Sequence, residues 1–276
     1  MNRRAYVFMV GVAVALACAM AVRPVTAQTR YDKRTVVADD SLELFVKFFH
    51  GYAGQDIPLW VLLPMMGHDH LSYAPFREEV WHQLRTDTLS PGLRRPYILS
   101  PDLRGHGNST DRGDETLTYR DMPVTEFGNY VSDVIAIIDN VVADEDHSVS
   151  GDSIYVIGAS IGANTAALMT TQRPNIRRLV LLSPGLDYRG LEPYEALRQF
   201  DGEVLICASE EDEYSAKSSR KLATIAPDRF ELRIYPGSSH GTDIINNNED
   251  AMRELVHWLL KPQRGNDPGT GSGELG

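Results

Sequence analysis

Cysteine is almost missing from this chain: the 276 residues hold two, Cys18 and Cys207. Cys18 falls in an apolar N-terminal run that is expected to be removed, so an internal disulfide is excluded for the folded part. Cys207 sits in Val204-Leu205-Ile206-Cys207-Ala208 and reads as a small buried hydrophobe of a strand, not as a reactive thiol. Positive charge is in short supply as well. Lys and Arg number 27 against 38 Asp and Glu, for a net charge of −11. Such a chain is a poor match for a nucleic-acid backbone or an anionic lipid surface. Internal repeats are lacking too. The length and a hydrophobic content of 42% suit one large α/β domain and supply an ample core.

Residues 1–27 have the pattern of a targeting segment. Arg3 and Arg4 precede Ala5 to Val22, 18 residues without a charge. Arg23-Pro24 then breaks the run, and Val25-Thr26-Ala27 offers a small-residue cleavage site that leaves Gln28 as the new N-terminus. An exported protein, periplasmic or secreted, is expected, with no stable membrane insertion after cleavage. Two rival fates use the same residues. The run is long enough to stay as a membrane anchor, and Ala15-Leu16-Ala17-Cys18 is a loose lipobox with Cys18 as the lipidated residue. The apolar run continues past Cys18, and Ala stands upstream where Leu is expected, which favours cleavage over lipidation. At the other end, residues 264–276 are rich in Gly, Pro and Ser and read as a disordered tail. The domain is therefore expected over residues 28–263.

What remains alternates strand and helix. Strands are predicted over Leu42–Phe49, Leu59–Leu63, Pro96–Ser100, Ser153–Ile157, Arg178–Leu182, Val204–Ala208 and Phe230–Tyr235. Helices are predicted over Pro75–Arg85, Thr125–Val142 (with Thr125 as N-cap), Ala163–Thr171, Pro193–Phe200, Ser215–Ile225 and Asn248–Leu260. Short, continuously apolar strands separated by helices imply a mostly parallel sheet of about eight strands with helices on both faces. Ligands of such sheets bind beyond the carboxyl ends of the strands.

The most informative motif lies at one such end. Gly158-Ala159-Ser160-Ile161-Gly162 reads G-x-S-x-G, directly between a predicted strand and a predicted helix. In that frame the serine is forced onto a tight turn that lifts its hydroxyl above the sheet, and the glycines leave room for the bend. A serine nucleophile needs a base and an orienting acid. His240 follows the last strand in the small-residue loop Gly237-Ser238-Ser239-His240-Gly241. The acids Glu210, Glu211, Asp212 and Glu213 follow the strand before it. Asp212 is the first choice, since the third or fourth residue past a strand can turn inward, and Glu210 is the second. The order Ser160, Asp212, His240 is the one expected for this type of site. The tetrahedral intermediate needs two N–H donors. Ile161, the residue after the nucleophile, supplies one, and the loop Leu63-Pro64-Met65-Met66-Gly67-His68 supplies the other, with Met66 first and Met65 next. His68-Asp69-His70 has poor metal-ligand spacing, so neither metal nor cofactor is expected.

The chain resembles the α/β-hydrolase superfamily, and within it the small single-domain esterase-like members, over residues 35 to 260. The resemblance rests on Gly158 to Gly162, on Asp212 and His240, and on Asp102-Leu103-Arg104-Gly105-His106-Gly107-Asn108-Ser109, which looks like the family's D-x-R-G-x-G-x-S loop. That loop is expected to be structural, with Asp102, Arg104 and His106 knitting it together. Pro64-Met65 stands where many members carry His-Gly. The resemblance implies a serine esterase acting through an acyl-enzyme on a small-molecule ester. A peptidase or amidase on the same scaffold, or a binding protein that kept the fold, are the alternatives. Only Ser183 to Gly202 separates two successive strands where relatives often insert a lid, so a minimal lid and an open site are expected. Leu186, Tyr188, Leu191 and Tyr194 are candidates for its wall.

Overall fold

The computed structural model describes residues 30–51, 58–86, 95–144, 149 and 151–261. The expected targeting segment 1–27 with Cys18, the tail 264–276 and His147 lie outside the described residues.

The elements run in the order β1 (Tyr31–Val37), β2 (Glu43–Phe49), β3 (Leu59–Leu63), a 3-10 turn (His70–Tyr73), α1 (Ala74–Thr86) and β4 (Tyr97–Pro101). A two-stranded ribbon follows, β5 (Asp111–Arg112) and β6 (Glu115–Thr116), then α2 (Val124–Phe127), α3 (Tyr130–Val142), β7 (Ile154–Ala159) and α4 (Ile161–Met169). The chain continues through β8 (Ile176–Leu182), α5 (Tyr194–Gln199), β9 (Glu203–Ser209), α6 (Glu213–Ala223), β10 (Phe230–Tyr235), α7 (Asp243–Asn246) and α8 (Glu249–Leu260).

Eight strands form one sheet in the order β1-β2-β4-β3-β7-β8-β9-β10. From β4 to β10 every pairing is parallel, whereas β2 pairs antiparallel with both β1 and β4. The central strands are buried on both faces, and their period of two sends alternate residues to different cores. Val61, Leu63, Val156, Leu179, Leu181 and Ile206 pack with residues of α3 and α4. Trp60, Leu62, Ile157, Val180, Leu182 and Leu205 pack on the opposite side with residues of α1 and α8. Each such side chain taken from water contributes roughly 1.5–3 kcal/mol to stability, so both helical layers are needed to seal the sheet. No helix among the described residues is long and apolar enough to cross a membrane.

Two departures from the sequence expectation have physical causes. The helix expected over Thr125–Val142 is broken into α2 and α3. Gly128 and Asn129 donate their N–H groups to the carbonyls three residues back, Thr125 and Glu126, in a tightened turn. Glycine is a weak helix former, which makes the break cheap. Pro123, not Thr125, holds the N-cap position of α2. The edge strand β1 carries Asp32, Lys33 and Arg34 on a largely exposed ribbon and so lacks the apolar run that announces a central strand.

The glycine loop after β4 divides its labour. Asp102 does knit the loop: it accepts from the backbone N–H and Nδ1 of His70 and from the backbone N–H of Asn108. Burial alone would raise its pKa, yet these bonds hold it below the ordinary carboxylate value. His106 joins in through Nδ1, which donates to the Arg104 carbonyl at 3.0 Å. Arg104 turns the other way. It is buried and reaches Asp133 at 2.8 Å, Asp40 at 2.5 Å and Glu126 at 2.9 Å, tying α2 and α3 to the β1–β2 turn.

Candidate active site

Ser160 stands between β7 and α4 with φ 54° and ψ −118°, a conformation that side-chain-bearing residues rarely adopt. Such a residue costs about 1–3 kcal/mol and persists only where its surroundings over-determine it. Here they do. The Ser160 N–H donates to the Leu182 carbonyl of β8 at 2.7 Å, and its carbonyl accepts from Ala163 at 2.9 Å. The flanking glycines are sterically required. A Cβ on Gly158 would lie 2.2 Å from the Gly162 carbonyl oxygen, and one on Gly162 would lie 2.5 Å from that of Leu63. The bend therefore rests on the neighbouring strand β3 and lifts the serine above the sheet edge.

His240 arrives from the loop after β10 and Asp212 from the loop after β9. The imidazole Nε2 lies 2.8 Å from Ser160 Oγ, and Nδ1 lies 2.6 Å from Asp212 Oδ2. With the Nδ1 proton donated to the carboxylate, Nε2 is left as an acceptor for the serine hydroxyl. Asp212 occupies the N-cap position of α6 but makes no side-chain cap bond. An aspartate there ordinarily turns its carboxylate onto the first helical amides. This one is committed to the imidazole instead. The second-choice acid, Glu210, is exposed, and its N–H donates to the Tyr235 carbonyl.

The residue after the histidine is fixed from below. Gly241 has φ 57°, and a Cβ there would lie 2.6 Å from Met65 Sδ. Its N–H donates to the Ser183 hydroxyl at 3.0 Å. Ser183 is buried at the end of β8 with φ 51°, and its own N–H donates to the Cys207 carbonyl. No local sequence signal marks Ser183, because its task is set by a partner 58 residues away.

The two residues expected to furnish N–H donors lie in separate elements. Ile161 is the first residue of α4 and is buried, and Met66 lies in the turn after β3, partly buried against the core. Gly67 and His68, which follow Met66, line a cleft of about 730 Å³ together with His106 and Tyr119. The Tyr119 ring stacks on that of His106 at 4.4 Å. Burial holds the His106 pKa below the ordinary imidazole value. The only free cysteine among the described residues, Cys207, is fully enclosed in β9, and burial pushes its thiol up to about 12, which fits an inert core residue. His50 bonds Asp32 at 2.8 Å and belongs to the sheet edge.

The chain has the fold of the α/β-hydrolase superfamily. Residues 97–200, which include Ser160, match the family model described as serine aminopeptidase, S33. Among solved structures it is similar to a dienelactone hydrolase from Anabaena variabilis, with 15% identity over 84% of this chain and 96% of that one and a TM-score of 0.61. It is similar to an esterase from Pyrococcus furiosus, with 12% identity over 84% of this chain and 92% of that one and a TM-score of 0.61. An enzyme that degrades N-acyl homoserine lactones matches with 15% identity over 82% of this chain and all 100% of that one, at a TM-score of 0.57. No curated protein sequence matches the chain. At these identities the structural likeness establishes the fold, and the chemistry has to be argued from the site.

Proposed function

We propose that this protein is an exported serine hydrolase that cleaves carboxylic esters of small molecules through an acyl-enzyme on Ser160. The observation that carries the reading is the continuous hydrogen-bonded line Ser160 Oγ, His240 Nε2, His240 Nδ1, Asp212 Oδ2, with links of 2.8 and 2.6 Å. A serine hydroxyl is almost wholly protonated and a weak nucleophile. As Oγ attacks the ester carbonyl, Nε2 takes its proton, and Asp212 stabilises the imidazolium and fixes its tautomer. Nε2 then returns the proton to the leaving alcohol. Water repeats the cycle on the acyl-enzyme. The negative oxygen of each tetrahedral intermediate is received by the N–H groups of Ile161 and Met66. The first of these opens helix α4, where the backbone dipole favours negative charge. Export rests on the pattern of residues 1–27.

An amidase or peptidase is the second reading, favoured by the match to a serine aminopeptidase model. That match covers the nucleophile but ends before Asp212 and His240. The segment between β8 and β9 holds only the short helix α5, which leaves no lid domain to grip a peptide. A nitrophenyl ester series run beside amino-acid nitroanilides separates the readings. Short and medium acyl esters are expected to turn over, with nitroanilides far slower. Activity confined to acyl chains above about ten carbons would remove the open-site argument, since a site without a lid domain offers no deep enclosure. Faster nitroanilide cleavage would establish the peptidase.

A further inference from the structure

Two consecutive residues at the end of β8 hold the two halves of the proton-transfer pair. The Leu182 carbonyl accepts from the Ser160 N–H at 2.7 Å and so fixes the backbone of the nucleophile. The Ser183 hydroxyl accepts from the Gly241 N–H at 3.0 Å and so fixes the residue after the base.

The His240 loop needs an anchor outside itself. Gly237 and Gly241, with φ 92° and 57°, bracket Ser238, Ser239 and His240, and glycines give a segment wide backbone freedom. The His240 side chain is 38% exposed, so packing alone does not hold its ring. The His240 and Gly241 carbonyls accept from Asp243 and Ile244, bonds that stay inside the turn that follows. Gly241 is buried and lies close to the elbow. A Cβ on it would stand 2.6 Å from Met65 Sδ and 3.4 Å from the Cβ of Ala159, the residue before the nucleophile. A buried N–H left without an acceptor is costly, and the acceptor here is the Ser183 hydroxyl.

Ser183 is held as firmly as the loop it serves. It is fully buried and has φ 51°, a strained conformation for a residue with a side chain. Its N–H donates to the Cys207 carbonyl of β9 at 2.7 Å, and its carbonyl accepts from the Tyr188 hydroxyl at 3.4 Å. The Tyr188 ring in turn stands edge-to-face with the His240 imidazole, centroids 6.4 Å apart. Glycine would meet this backbone conformation without strain. What serine adds is the hydroxyl that Gly241 uses.

Resting on the serine-hydrolase reading above, we propose that Ser183 is a positioning residue for the base. Its hydroxyl, through the Gly241 N–H, holds His240 at proton-transfer distance from a nucleophile that the preceding residue, Leu182, holds. The end of β8 thereby sets the separation of the pair. Ser183 exchanges no proton, since the proton passes only between Ser160 Oγ and His240 Nε2. It supplies the alignment of that 2.8 Å contact, and rates are steeply sensitive to such alignment.

The test measures nitrophenyl acetate kinetics and thermal melts of Ser183→Ala and Ser183→Gly, each alone and combined with Asp212→Asn. Ser183→Ala is expected to lower kcat by about tenfold with KM within about twofold, because the base drifts while the substrate surface stays intact. Ser183→Gly relieves the strain at φ 51°. It is expected to melt no lower than Ser183→Ala and yet to lose the same factor of about ten. Beside Asp212→Asn the imidazole is already misoriented, so either substitution is expected to cost less than about twofold more. Wild-type kcat in either folded single variant would overturn the proposal. So would a tenfold loss repeated in full beside Asp212→Asn, or a loss confined to KM, since each marks a role that does not act through His240. If Ser183→Ala does not fold, Ser183→Gly decides by the same criteria. A wild-type protein that a fluorophosphonate does not label would instead bring down the serine-hydrolase reading, and this inference with it.

Discussion

His240→Ala is expected to lower ester turnover by roughly 10⁵-fold while leaving the melting temperature close to that of wild type. The imidazole is the sole group placed to accept the Ser160 proton, at 2.8 Å among the described residues. Without it, attack must proceed from a neutral hydroxyl, and the leaving alcohol must depart without a proton. The fold has little stake in the side chain. His240 is only partly buried, and its neighbour Gly241 is anchored independently by Ser183. Steady-state kinetics on a nitrophenyl ester together with a thermal melt give both halves of the result. A loss of turnover matched by a collapse of the melt would reduce His240 to a structural residue.

Asp212→Asn should cost about 10⁴-fold in kcat, because an amide in place of the carboxylate no longer stabilises the imidazolium and can favour the wrong tautomer. Glu210→Gln, two residues earlier, should leave kcat unchanged within about twofold, as is usual for an exposed surface charge. This pair of variants reads the acid assignment directly. Asp212 spends its carboxylate on His240 and none of it on capping α6, so its replacement removes catalytic orientation without removing a helix cap. If Glu210→Gln carried the loss instead, the acid assignment would be reversed.

The frame of this fold was legible because the central strands announce themselves. Leu59–Leu63 was expected and is found with the same ends, since a strand buried on both faces reads as an unbroken apolar run, and the alternating edge strand Phe230–Tyr235 is also found with its expected ends. Ser160 and His240 could be chosen because each follows a predicted strand among small residues. Asp212 could be preferred over its acidic neighbours because it stands three residues past the end of β9, where the chain turns into α6. What was not legible depended on partners far away in the chain. Ser183 has no motif, and its contact with Gly241 exists only once β8 and the β10 loop meet. Tyr188 was visible as a wall candidate, but what fixes its loop and its hydroxyl, Asn164 on the Leu191 carbonyl and Ser215 on the phenol, lies on other elements. Arg104 was read as a loop residue, and the carboxylates that claim it belong to three other segments. Local chemistry thus located the strand ends and the residues that project from them, and tertiary contacts decided what holds those residues in place.

The central claim is that the Ser160 hydroxyl is an activated nucleophile, and labelling with a fluorophosphonate probe followed by peptide mass mapping addresses it most directly. The expected result is a single phosphonylated peptide containing Ser160 in the wild-type protein, and no labelling of Ser160→Ala under the same conditions. Equal labelling of the two proteins, or none of either, would contradict the account.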